Sequence, residues 1–200
     1  MSLEWFKENF LGDYTYSQIN VELQKKTIPN ELIFLPYITG VNAPDYHADA
    51  NGVFYGIKMK HDKFDLTLAI MEGVVHLLKK NMMCLEEIGV KAEMIISTGG
   101  GARSELWSQM KSDITAYIVA IPENEEAACL GAAMIGAVSE GLFASYEDAV
   151  QQCVVIKQKF IPRHPDRYQK KHKLFNRLFD QILPVYDYDA GNEILLKTGE

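Results

Sequence analysis

The residues of this 200-residue chain best suited to chemistry are three consecutive glycines, Gly99, Gly100 and Gly101. They lie between the apolar run MIIST (residues 94–98) and a stretch of helical periodicity that Ser104 can cap. A strand that ends in glycines and enters a helix is a way to bind phosphate, because unshielded N–H groups and the helix N-terminus face the anion. Glycine is needed where a Cβ would strike the ligand or where φ is positive. The same three residues also suit a plain tight turn, and the turn alone does not separate the two readings. GGGARSEL lacks the lysine and the spacing of a P-loop. The dinucleotide fingerprint G-x-G-x-x-G finds Gly99 and Gly101 but meets Ser104 in its third position, with Glu123 near the place of a ribose-binding acid. A nicotinamide or flavin oxidoreductase therefore stays open as an alternative, weakened because more than 90 residues precede the strand.

Other candidates carry less. Ala128, Ala132 and Gly136 share a helical face, which admits close approach by another element; a well-packed core helix explains the same spacing and is favoured by it. Asp45, His47 and Asp49 could hold a metal, but alternating polar residues in a Gly/Pro loop read first as solvated turn formers. His61, His76, His164 and His172 have no partner at ligand spacing, and no Ser-His-Asp or H-E-x-x-H arrangement is present.

The elements that position these residues follow from periodicity and punctuation. Helical stretches are expected over residues 3–11 and 18–26, with short strands over 32–37 and 53–57. A long, largely buried helix is expected over 62–88, with Asp62 or Asp65 as its cap and Gly89 as its stop. Gly73 inside that helix costs about 1 kcal/mol against Ala, which points to close approach by another backbone. Strand 94–98, a helix to residue 114, strand 117–121 and helix 125–140 make a parallel βαβ unit. A short helix over 146–152, an extended 154–160 and a terminal amphipathic helix over 165–183, carrying Tyr168, Leu174, Leu178 and Ile182, complete an α/β chain.

Composition sets the outer bounds. With 48% hydrophobic and 24% charged residues, disorder, collagen and coiled coil are excluded. The net charge of −7 opposes nucleic-acid and membrane partners. Residues 157–173 hold seven basic side chains and one acid, read as a solvated face. Three scattered cysteines, the absence of a signal-like start and an apolar run confined to 129–138 predict a cytoplasmic protein.

Four segments, in order, carry a family resemblance. GVFYGIKMKHDKFDLTLAIME (52–72) resembles the second signature of the FGGY carbohydrate kinases, and FLPYITG (34–40) the segment before it. STGGGARSELW (97–107) resembles the family's adenosine motif, and EEAACLGAAM (125–134) its closing hinge helix; GGGARSELWSQM is closest to the xylulokinase-like branch. The resemblance implies a ribonuclease H-like ATPase domain of the actin and hexokinase type, with residues 1–200 as most of the C-terminal domain. The N-terminal sugar-binding domain and the early strands of this domain would be absent. It implies ATP and Mg2+ as cofactors, a ketose such as xylulose as the phosphorylated sugar, and no catalytic or metal-binding residue in the chain itself. Gly100, Gly101 and Ala102 would lie against the phosphates and ribose, with Gly99 in the same turn and Glu105 near adenine. Gly131 and its small neighbours would pack on the other domain's hinge helix. An incomplete domain is expected to be inactive alone and to self-associate. The dinucleotide-binding oxidoreductase and a non-catalytic interaction domain are the alternatives.

Overall fold

The computed structural model describes residues 1–189, with side chains to Asp187; residues 190–200 of the expected domain lie outside the described residues. Contacts divide the chain into two compact units, one of residues 1–91 together with the segment from 164 onward, the other of residues 92–163.

In the first unit, α1 (Ser2–Phe6) runs into a π-helical turn, Lys7–Leu11, that ends at Gly12 with φ +54°. Thr15 and Gln18 form a reciprocal capping box that starts α2 (Tyr16–Leu23) two residues before the expected start. Strand β1 (Ile33–Leu35) pairs antiparallel with β2 (Val53–Tyr55). All three β1 side chains are buried, Leu35 among them packing with Tyr37, Phe175 and Phe179. Helix α3 (Lys63–Glu87) begins on the Asp62 cap, with Asp65 answering from the third position, and stops at Gly89, φ +85°. Its burial is confined to the half from Phe64 to His76; beyond it the side chains are half-buried or exposed.

Gly73 does what its cost suggested. A Cβ there would collide with the carbonyl oxygen of Phe34, so the backbone of β1 lies directly against α3. The neighbouring Glu72 is buried, accepts the Asn30 N–H at 2.9 Å, and is ion-paired with Lys171. Lys171 also donates to the Asn30 carbonyl at 2.7 Å. Burial pushes the Glu72 carboxyl up and the Lys171 ammonium down. Lys171 is thus a correction to the solvated basic face: its ammonium is taken up inside the unit.

Helix α7 (Asp166–Asp189) buries Tyr168, His172, Phe175, Phe179 and Tyr186. Leu174, expected on this face, is 42% exposed, and the helix runs past its expected end at residue 183, with Pro184 inside it. His172 and His76 also have a partner that spacing concealed, namely each other, with Nδ1 atoms 3.3 Å apart. Burial holds His76 well below the usual range and His172 at about 4, so the pair is neutral at pH 7. In the loop before β2, Asp45 pairs with Lys80 at 2.6 Å and His47 with Asp187 at 2.9 Å, so these side chains serve as struts.

The second unit is a three-stranded sheet of order β3-β4-β5. β3 (Met94–Ile96) and β4 (Ile118–Pro122) pair in parallel across α4 (Glu105–Thr115), as the βαβ reading requires. β5 (Ile156–Phe160) joins β4 antiparallel, leaving β3 at the sheet edge. Ser112 on α4 lies 2.8 Å from the Tyr117 carbonyl and 2.9 Å from that of Phe160, so one buried hydroxyl ties the helix to both strands' ends. Helices α5 (Ala127–Ser139) and α6 (Tyr146–Cys153) follow. α5 has no buried residue, which overturns the core-helix reading of its small side chains. Among the described residues no helix is long and apolar enough to cross a membrane.

The glycines of α3 and α5 should respond to substitution with opposite signs. Gly73→Ala gains about 1 kcal/mol of helix propensity, but a new Cβ against a backbone carbonyl costs roughly 1–3 kcal/mol and lowers the unfolding midpoint. Nothing lies within 4 Å of a Cβ at Gly136, so Gly136→Ala should raise the midpoint of the isolated chain. Denaturant titration of both variants checks the pair of signs.

The His76–His172 pair sets a pH dependence. Burial holds both folded pKa values below the ordinary histidine value of 6.5, so their contribution is present above pH 6.5 and is lost as pH falls toward about 4. Glu72, with its raised carboxyl, acts in the opposite sense over the acid range. Comparing melting temperature against pH for the chain and for His172→Gln isolates the histidine contribution, and the variant should show the shallower acid decline.

Candidate functional site

The second unit carries an open cleft of about 270 Å³ at the carboxyl ends of β3 and β4. This is where a parallel α/β sheet places ligands, since both strands end and their connecting turns diverge there. Ser97 and Thr98 leave β3 at its floor; Ile121 and Pro122 close it from β4; Lys157 and Gln158 approach from β5. Pairing of the two parallel strands continues into the site, because the Ser97 N–H donates to the Ala120 carbonyl at 2.9 Å.

The turn between β3 and α4 holds the three glycines. Gly99 has φ +72° and ψ −167°, a conformation that is essentially confined to glycine. Gly100–Ala102 then form one turn of 3-10 helix, closed by the Ala102 N–H on the Gly99 carbonyl at 3.0 Å and the Arg103 N–H on the Gly100 carbonyl at 3.3 Å. Among the described residues no acceptor takes the N–H groups of Gly100 and Gly101, which leaves them as the turn's open donors. Ser104 caps α4, accepting the Trp107 N–H at 3.2 Å.

Of the five residues singled out from the sequence, Gly99, Ala102 and Glu105 line the cleft. Gly100 sits beside them with open space where a Cβ would stand. Gly101 turns the other way: a Cβ there would be 3.2 Å from the Trp107 ring. Glu105, in the first turn of α4, is exposed with its carboxylate at the positive end of the helix.

Several side chains at the site were not foreseen. Arg103 reaches Glu125 through Nε at 2.8 Å and a terminal nitrogen at 2.7 Å, linking the turn to the loop before α5. Both are largely exposed, so the link orients more than it stabilises. Lys111, two turns into α4, donates from Nζ to Ser97 Oγ at 2.8 Å and to the Gly101 carbonyl at 3.1 Å, and lies 5.1 Å from the centre of the Trp107 ring. Burial alone lowers its ammonium to about 8. The sequence signal for this contact is faint: Trp107 and Lys111 are four residues apart on one helix face.

Comparison with known proteins identifies the family. The profile of the FGGY family of carbohydrate kinases, C-terminal domain, matches residues 12–140. A xylulose kinase of Bacillus subtilis (strain 168) is 30% identical over 198 residues, 98% of this chain and 39% of that protein. A gluconokinase of the same organism is 40% identical over 167 residues, 80% of this chain and 32% of that protein. Among solved structures, a ligand-bound xylulose kinase from Lactobacillus acidophilus superposes with a TM-score of 0.85 at 23% identity, covering 94% of this chain and 39% of that one. A glycerol kinase of Plasmodium falciparum solved with ADP gives 0.76 at 21%, covering 90% of this chain and 36% of that one. The chain spans about two fifths of the length of the xylulose kinases it matches. Its fold is the actin- and hexokinase-like fold found in these kinases, and the chain belongs to the FGGY family of carbohydrate kinases, in the C-terminal domain.

Proposed function

We propose that residues 1–200 form most of the C-terminal domain of an ATP-dependent sugar kinase and supply its nucleotide site, with a pentulose such as xylulose as the phosphoryl acceptor. The observation that carries this reading is the glycine turn at the carboxyl ends of two parallel strands, with the Gly100 and Gly101 N–H groups open beside the cleft. Backbone donors in that arrangement suit phosphate oxygens. Gly99, Gly100, Gly101 and Ala102 are assigned to the phosphates and ribose, and Glu105 to the base. The family match leaves the dinucleotide reading of the same glycines without support.

The cleft's turn is cleared of side chains at Gly100, and its charged lining is balanced, Arg103 and Lys157 against Glu105 and Glu125, with Arg103 paired to Glu125. Among the described residues no three metal-ligating side chains converge, so Mg2+ would be held here by the nucleotide's phosphates and not by a protein cage. Nucleotide bound here supplies the γ-phosphoryl group. This chain's part is to bind and orient: the turn's N–H groups hold phosphate oxygens in a fixed direction, and Ile121 and Pro122 exclude water from one wall. The sugar pocket and the carboxylate that takes the hydroxyl proton are assigned to residues outside these 200. α5, uncovered and built from small residues, is assigned the interdomain contact. The protein is proposed to be cytoplasmic, and the isolated chain to self-associate.

Two experiments test the reading. In calorimetry the chain should bind ADP in preference to NAD; preference for NAD, or no response to ADP, overturns it. Gly100→Val, whose Cβ enters open space at a φ that is not positive, should abolish ADP binding with a melting temperature within about 1–2 °C of the parent. Gly101→Val should instead destabilise, since its side chain meets Trp107.

The isolated chain should phosphorylate neither xylulose nor ribulose, because positioning an acceptor and removing its proton are both assigned elsewhere. A coupled assay showing ATP-dependent sugar phosphate formation above a mock preparation would contradict that division of labour.

A further inference from the structure

Lys111 is an anomaly in unit two. A lysine ammonium is strongly hydrated and flexible, and taking it out of water is unfavourable unless its donors are well used. Burial is the sole cause of its lowered proton affinity, and among the described residues no carboxylate compensates the charge. Its side chain leans toward the N-terminus of α4, as helical side chains do, and its amine meets both ends of the glycine turn. At one end it donates to the Ser97 hydroxyl, where β3 stops; at the other it donates to the Gly101 carbonyl in the 3-10 turn.

Each contact has a consequence inside the cleft. A serine hydroxyl has one proton, and when its oxygen accepts from Lys111 that proton is directed to another acceptor. Ser97 lines the cleft, so the oriented O–H is available to an anion there. The Gly101 carbonyl belongs to the planar peptide whose N–H, on Ala102, closes the turn onto Gly99. Gripping that carbonyl holds the peptide plane, and with it the turn that presents the open Gly100 and Gly101 donors.

We propose that Lys111 is a positioning residue of the nucleotide site, acting from behind the glycine turn through Ser97 and Gly101 to aim their donors at nucleotide phosphate. The proposal rests on the nucleotide-binding reading above and assigns that reading a residue that does not line the cleft.

The test measures ADP and adenosine binding to the full 200-residue chain by calorimetry and ligand-observed NMR, for the parent, Lys111→Met, Ser97→Ala and the double variant. Thermal melts establish which variants fold. Loss of an oriented hydrogen bond should weaken ADP about fivefold to tenfold in Lys111→Met while leaving adenosine unchanged. Ser97→Ala should weaken ADP less, and the double variant should resemble Lys111→Met, because Ser97 acts only when oriented. A parent chain that binds no ADP overturns the nucleotide reading and this proposal together. ADP binding that is undiminished in a folded Lys111→Met overturns the proposal alone. Equal losses for ADP and adenosine show a general packing role and also overturn it, and additive losses in the double variant refute action through Ser97. Should Lys111→Met not fold, Ser97→Ala decides: unchanged ADP affinity overturns the proposal.

Discussion

One buried ion pair, Glu72 with Lys171, joins the two arms of chain between which residues 92–163 are strung. Both charges are removed from water, and neither would be tolerated alone, since an unpaired buried ion costs several kcal/mol. The backbone of Asn30 completes the arrangement, donating its N–H to the carboxylate and accepting the ammonium on its carbonyl. Such a pair adds little net stability over apolar residues of similar size, but it permits one alignment of its elements. One residue along, Gly73 brings the backbone of α3 against the Phe34 carbonyl. Polar pairing at position 72 and absence of a side chain at 73 therefore lock the same helix to β1 and α7. A shift of α3 by one residue in one direction would bury a carboxylate against the Phe34 carbonyl, and in the other direction would put a glycine where the ammonium needs a partner.

The parts of this unit that could be read from the sequence are those whose cause is local. Asp62 and Asp65 cap α3 because both partners lie within one turn, and Gly89 ends it because the backbone there adopts positive φ. Gly73 was legible for a different reason: a residue that weakens a helix must be compensated by something specific. Lys171 was not legible, because a lysine in a basic run looks solvated until a carboxylate 99 positions away is brought to it. His76 and His172 hide in the same way, 96 residues apart and joined only when α3 and α7 pack. Leu174 failed for want of phase: the buried stripe of α7 runs through Phe175 and Phe179, which displaces Leu174 toward solvent.

In the second unit the strand, turn and helix that form the cleft were legible, since a parallel βαβ crossover follows from element lengths alone. α5 was misread because small residues at helical spacing fit a tightly packed core and an uncovered face equally well. Alanine and glycine expose little apolar area, so such a helix tolerates exposure at modest cost, with Ile135, 59% exposed, as an exception. Lys111 and the Arg103–Glu125 link left no pattern at all. Their contacts depend on where the turn places a carbonyl and where the β4–α5 loop ends, and neither is encoded in side-chain periodicity.

The three glycines show most clearly where sequence reading ends and geometry begins. As letters they are identical, and each is consistent with phosphate binding. Gly99 is required by backbone conformation, at φ +72° and ψ −167°, whatever surrounds it. Gly100 has an ordinary φ and empty space on its side, so the fold itself would accept a side chain there. Gly101 is constrained from behind, by the Trp107 ring and the amine of Lys111. A fold needs the first and the third to build the turn. Nothing in the folding of this unit requires glycine at the second, and a position that the fold leaves free but that stands beside a cleft with its N–H unengaged is where a requirement imposed by a ligand would be felt. Gly100 is therefore the point at which the structural and functional demands on this turn come apart.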